Sequence, residues 1–312
     1  MSRLPTISLS TALFTLAAAS CTDGTDPSLA PPTEAERPEI GQTYDVATGQ
    51  VTEDTEVSLA ALRDPVEHAP LPGTLGPKPG QAEESIHNVI FGDDTRGQVS
   101  PANTFPASGR VRLVMDFSDG YRSNGTGTII GDKYVLTAGH VVYSHDHGGW
   151  ATRIYAFPGQ DGNSKPYSAM STTLRSVTGW TVDEDNDYDY GLITLDSPVG
   201  NQTGIYCLGS FSDATLDTTT AYIYGYPVDK PWGTQWGSGG PIEDYDSTML
   251  FYDIDTYGGM SGAGVYRWYN GSRCVFGVHG GDTWYWLEHY NRAARITNAR
   301  FNLITSWMDS GF

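Results

Sequence analysis

Cysteine is scarce in this chain, with three in 312 residues at positions 21, 207 and 274. That excludes a small scaffold built on disulfides. Cations are also few: 18 Lys and Arg stand against 37 Asp and Glu, a net charge of -19. A surface of that sign repels phosphate backbones and anionic headgroups, so nucleic acid is not an expected partner. No long apolar run occurs after the first two dozen residues, so no stable membrane insertion is expected of the mature protein. What is abundant points to strands and turns. Gly 37, Tyr 19 and Trp 8 accompany only 18% charged residues, and 38% hydrophobic content suffices for a large core.

Met1-Ser2-Arg3 is followed by an uncharged stretch to Ser20 that ends in small residues, the pattern of a signal peptide over residues 1–21. Ala18-Ala19-Ser20-Cys21 also resembles a lipobox. The chain is therefore expected to be secreted, with a periplasmic or lipid-anchored precursor as the alternative. Residues 22–88 hold 9 of the 18 prolines and no Trp or Phe, a composition that reads as a largely disordered propeptide or linker. Removal or lipidation of Cys21 leaves Cys207 and Cys274 as a candidate disulfide, although sequence does not bring them together.

From Val89 onward the chain is apolar and punctuated by turns. Arg110–Met115, Thr220–Tyr224 and Cys274–His279 are short, rich in β-branched or aromatic residues, and bounded by turn formers. The class is all-β. Leu303, Ile304, Trp307 and Met308 recur at helical spacing after Thr297 or Asn298, which predicts a closing helix over about 297–309.

Three local patterns carry chemistry. Tyr134–Val142 delivers His140 at a small-residue turn; Asp187–Leu195 sets an acidic cluster against a strand; Asp255–Val265 brackets Ser261 with glycines. Alone, each has a bland reading as a structural histidine, a solvated acidic loop or a glycine-rich turn. Together, in the order His, Asp, Ser, they supply a base, its orienter and a nucleophile. That order differs from the Ser, Asp, His of α/β-hydrolases and the Asp, His, Ser of subtilisins.

Leu136-Thr137-Ala138-Gly139-His140, Asp189-Tyr190-Gly191-Leu192-Ile193 and Asp255–Gly262 resemble the motifs of chymotrypsin-like serine proteases, and more narrowly of their glutamyl endopeptidase branch. Gly225-Tyr226-Pro227 and Tyr290-Asn291-Arg292 add to the likeness, which covers residues 89–312. The resemblance implies two six-stranded antiparallel barrels, at about 89–200 and 201–296, with the site between them. It implies that Ser261 attacks, His140 moves the proton, Asp189 orients the imidazole, and the Gly259 and Ser261 N–H groups form the oxyanion hole. Asp189 directly precedes the Tyr-Gly-Leu-Ile strand, so Asp183, Asp185 and Asp187 are expected to be solvated. Polypeptides are the implied substrates, a monomer is expected, and no cofactor or metal is required. His145-Asp146-His147 reads as a polar surface turn.

Asp255 lies six positions before Ser261, and both trypsins and glutamyl endopeptidases carry Asp there. His279 matches the branch's histidine that contacts a substrate glutamate, and the Thr256 hydroxyl would assist it. Glu is itself rare where self-cleavage would do harm: eight lie in residues 1–88 and three, at 184, 243 and 288, in residues 89–312. Asn88-Val89-Ile90 resembles a mature start of this family, and the resemblance implies that processing before Val89 turns a zymogen precursor into an enzyme with a new ammonium in the pocket; cleavage at Glu84-Ser85 is the alternative. Gly125 and Val141 stand where many relatives carry a disulfide, and Met260 and Ala263 where Gln or Asp and Ser are commoner. The competing readings are the same fold with another pocket preference, and a binding protein of this fold that has lost catalysis.

Overall fold

The computed structural model describes residues 39–54 and 90–310. In chain order the strands are β1 Gly41–Asp45, β2 Val51–Glu53, β3 Gly97–Val99, β4 Arg110–Asp116, β5 Arg122–Gly131 and β6 Tyr134–Thr137. Next come β7 Tyr143–Ser144, β8 Gly149–Trp150, β9 Arg153–Pro158, β10 Ala169–Val177, β11 Gly191–Leu195, β12 Cys207–Leu208 and β13 Thr220–Gly225. The last are β14 Gln235–Pro241, β15 Asp244–Tyr245, β16 Met249–Tyr252, β17 Gly264–Tyr269, β18 Ser272–Tyr285 and β19 Glu288–Arg295. A helix, Asn298–Asp309, follows them.

The first sheet runs β11-β6-β5-β4-β9-β10, and β10 pairs again with β11, so six strands close a barrel. Alternation decides what fills it. Along β9, Ile154 and Ala156 are buried while Arg153 is exposed, and Val111, Leu113, Ile129, Val135, Leu174 and Ile193 add to the same core.

The second sheet runs β15-β16-β19-β18-β17-β13-β14-β3, with β12 on β18. It was expected as a second six-stranded barrel, and it is not closed. β14 stops at Pro241, which has no N–H to carry the ladder on, and β15 pairs instead with β16. β3 falls within the stretch expected in the first half, yet it pairs with β14.

Composition placed residues 39–54 in a disordered segment. They form the β1–β2 hairpin instead, with β1 paired to β10 in the register Gly41↔Val177. Specific anchors outweigh the weak average hydropathy: Glu39 Oε1 accepts from Arg300 Nε at 2.7 Å, Asp54 Oδ2 accepts from Trp307 Nε1 at 2.6 Å, and Tyr44 stacks on Trp150. The signal peptide, Cys21, Ser85 and Val89 lie outside the described residues.

The closing helix starts where expected. Thr297 caps it by accepting from the Arg300 N–H, and Phe301, Leu303, Ile304 and Trp307 turn inward onto the first barrel's core. Cys207 and Cys274 are bridged, with their α-carbons 4.3 Å apart, which ties the two-residue β12 to β18. Among the described residues no helix is long and apolar enough to cross a membrane.

Candidate active site

Strand β6 ends at Thr137, and the short helix Gly139–Val142 that follows carries His140. Asp189 leaves the turn Asn186–Tyr188, which Asp185 caps by accepting from the Asp187 N–H. The two side chains meet. His140 Nδ1 is 2.9 Å from Asp189 Oδ2 and 3.1 Å from Oδ1, and the His140 backbone N–H donates to Oδ1 at 2.9 Å. Burial pushes the Asp189 carboxyl up, but the His140 charge and hydrogen bonds, with the Arg292 charge, outweigh it and hold it below the ordinary 3.8. An ionised carboxylate only accepts, so Nδ1 carries the proton and Nε2 is left as the base.

The Ser261 loop is held from both sheets. Thr126 of β5 donates its N–H to Ser261 O at 2.8 Å and its hydroxyl to Gly259 O at 2.8 Å, and it accepts from the Tyr226 N–H at 3.0 Å. Gly262 N–H donates to His279 O at 2.7 Å. The turns need glycine: Gly259 has φ +93° with Tyr226 O only 2.6 Å from where a Cβ would sit. Gly262 has φ +86°, and its Cβ would meet Thr137 Oγ1, the Thr126 carbonyl and the Ala138 N. Ser261 is thereby carried next to the segment bearing His140. Among the described residues the Ser261 hydroxyl makes no hydrogen bond, and neither do the Gly259 and Ser261 backbone N–H groups. Gly125 lies against Val141, whose methyl is 3.0 Å from a Cβ position there.

A register shift between His279 and Gly281 interrupts the β18–β19 ladder at His279. His279 is buried, and its Nδ1 lies 2.8 Å from the Tyr252 hydroxyl and 3.2 Å from Arg292 O. Burial, with the Arg292 charge nearby, lowers its pKa to about 3, so the imidazole is a neutral partner and not a cation. Thr256 is buried, and its hydroxyl makes no hydrogen bond among the described residues. Asp255 is occupied: its carboxylate accepts from Phe91 N at 3.0 Å and from the Thr95 N and Oγ1, each at 2.6 Å. Its charge therefore faces residues 91–95.

Asp187 is not the solvated charge expected. It accepts from Thr248 Oγ1 at 2.7 Å, and burial raises its pKa. His145 Nε2 lies 2.8 Å from Trp180 O and His147 Nδ1 2.9 Å from Asp119 Oδ2. Among the described residues no three His, Cys, Asp or Glu form a group that could hold a metal.

The family model described as Trypsin matches residues 95–244, which include His140 and Asp189. A glutamyl endopeptidase of Bacillus licheniformis is 38% identical over 239 residues, covering 74% of this chain and 72% of that protein. The chain belongs to the trypsin family of serine proteases. A Bacillus subtilis (strain 168) protein named extracellular metalloprotease is also 38% identical, over 223 residues that cover 70% of this chain and 69% of that one. A solved Glu endopeptidase structure, in complex with MPD, superposes with a TM-score of 0.62 at 27% identity, over 70% of this chain and 99% of that one. This serine endopeptidase thus resembles the glutamyl endopeptidase branch and acts on polypeptides. Thr126, Tyr252 and Arg292 contact these residues but carry no sequence signal for it, because each does so through segments distant in sequence; in the sequence Arg292 stands out only as part of the Tyr290-Asn291-Arg292 motif.

Proposed function

We propose that this chain is a secreted endopeptidase that cuts polypeptides after Glu, with Ser261, His140 and Asp189 as its catalytic triad. Secretion is supported by the leader-like residues 1–21 and by the likeness to glutamyl endopeptidases. Ser261 Oγ attacks the carbonyl carbon while His140 Nε2 takes its proton; the imidazolium that forms is stabilised by buried Asp189. The negative oxygen of the tetrahedral intermediate is received by the Gly259 and Ser261 N–H groups, unpaired among the described residues, each such donor lowering the barrier by about 3 kcal/mol. His140 then protonates the leaving amine, and water, activated by the same imidazole, releases the acyl group.

The observation that carries the reading is the hydrogen bond from His140 to buried Asp189, together with a glycine-flanked Ser261 loop whose two amides are unpaired among the described residues. Specificity for Glu rests on neutral His279 and the free Thr256 hydroxyl, with Asp255 turned away to hold residues 91–95. A basic substrate side chain would find that aspartate already occupied. A chain beginning at Val89 would start two residues from Phe91, which is anchored on Asp255; sequencing the N-terminus of the secreted form checks this, and a start upstream of Glu83 would overturn it.

The direct test is hydrolysis of matched peptides bearing Glu, Asp, Arg or Phe before the scissile bond, by processed protein and by Ser261→Ala. Turnover of the Glu peptide that is lost in the variant is expected. Turnover of another peptide alone would discard the pocket assignment, and none from folded, processed protein would favour a binding role.

A further inference from the structure

Arg292 is a buried cation whose partners are all neutral. It is 8% exposed; Nη2 donates to Asn186 Oδ1 at 2.7 Å, Nη1 to Asn186 O at 3.4 Å and Nε to Asp282 O at 3.2 Å. Of the other buried arginines, Arg96 meets Asp94 and Asp229 and Arg300 meets Glu39, while Arg110 and Arg175 donate to neutral groups. Among the described residues Arg292 is in no ion pair and lies over no aromatic ring. Removing a guanidinium from water without a touching counter-ion is costly, so its position calls for a purpose.

The neighbours supply one. A Cβ on Gly280 would sit 2.7 Å from Asp189 Oδ2 and 3.1 Å from Arg292 Nη1, so carboxylate and guanidinium face each other across a bare α-carbon. On the other side, the Arg292 carbonyl takes the Tyr252 hydroxyl at 3.1 Å and lies 3.2 Å from His279 Nδ1. One residue therefore touches both the pocket histidine and the turn that presents the catalytic aspartate. Asn186 O, which accepts from Arg292, also accepts from the Asp189 N–H at 3.2 Å.

We propose that Arg292 is the fixed counter-charge that lets a carboxylate enter the pocket, offsetting the Asp189 charge across the bare Gly280. The inference rests on the cleavage-after-Glu reading above. Without Arg292 an incoming glutamate would meet an ionised aspartate through a poorly screening interior, and nothing on His279 to answer it. A neutral glutamine of nearly the same shape would feel no such penalty. Arg292 touches no reacting atom, so its signature is a change in preference between these two peptides and not a uniform loss of rate.

The experiment measures kcat/KM for a peptide pair differing only in Glu or Gln before the scissile bond, with processed wild type, Arg292→Gln and Arg292→Lys. In Arg292→Gln the Glu-to-Gln ratio is expected to fall at least tenfold beyond any loss the two peptides share through the Asn186 turn, and Arg292→Lys is expected to retain most of the ratio. If Arg292→Gln does not fold, Arg292→Met fills similar volume without charge and answers the same question. An unchanged ratio, or equal losses on both peptides, overturns the inference while leaving Glu specificity standing. A wild type that does not prefer Glu to Gln overturns the specificity reading and the inference with it.

Discussion

At Thr126, one fully buried hydroxyl satisfies Gly259 O and the Tyr226 N–H at once, while the same residue's N–H holds Ser261 O. Thr126→Val keeps the shape and leaves the buried Tyr226 N–H and the partly buried Gly259 O unpaired, so a stability loss of about 2 kcal/mol is expected, with kcat falling more than KM changes because the nucleophile's loop loosens. Chemical denaturation and peptide kinetics check both. His279 gives a pH dependence whose sign follows from its depressed pKa. Folded, it stays neutral down to about 3; unfolded, it takes a proton near pH 6.5, so the unfolded state binds more protons between these values and stability falls as pH drops. The slope approaches about 1.4 kcal/mol per pH unit, and the urea-midpoint advantage of wild type over His279→Gln is expected to shrink from pH 7 to pH 5. Asp189, held below 3.8, loses its contribution only at lower pH and stays out of this window. His140, Asp189, Ser261 and His279 were legible because each sits in a local run whose neighbours announce a turn or strand. Thr126, Tyr252 and Arg292 carry no such mark, since what distinguishes them is contact with residues over 25 positions away.

Among the elements, the closing helix was legible through its 3.6-residue apolar period and its Thr297 cap. The β1–β2 hairpin was not, because its hold on the barrel is a handful of specific contacts: Glu39 with Arg300, Asp54 with Trp307, and a ladder along β10. Nor does alternation along single strands reveal closure, which depends on whether edge strands find each other; β10 and β11 do, and β14 at Pro241 does not. The two-residue β12 depends on its bridge to Cys274. Removing that bridge with Cys207→Ala and Cys274→Ala frees a loop of 67 residues in the unfolded chain, for an expected loss of about 4 kcal/mol by chain entropy. Thermal melts should show it, while room-temperature activity remains, since β18 keeps its pairing with β17 and β19.

For the molecule as a whole, the scarcity of Glu after residue 88 becomes a map of its own weak points. Glu184 lies exposed in a loop with φ +56°, and Glu288 is exposed beside the tip of the β18–β19 hairpin, where Trp286 and Leu287 are 82% and 94% exposed. Such tips are where proteases cut. Prolonged incubation of concentrated protein is expected to yield cuts after these two residues, read by mass spectrometry. Ser261→Ala should give none, and Glu184→Gln should lengthen the half-life of the intact chain. The leader hairpin carries a different consequence. A cut anywhere in residues 55–89 leaves residues 39–54 joined to the barrel by noncovalent contacts alone, and the hairpin becomes a ligand of the enzyme it was made with. Its occupancy then obeys mass action. Dilution, or another peptide competing for the edge of β10, would release it where no further proteolysis could.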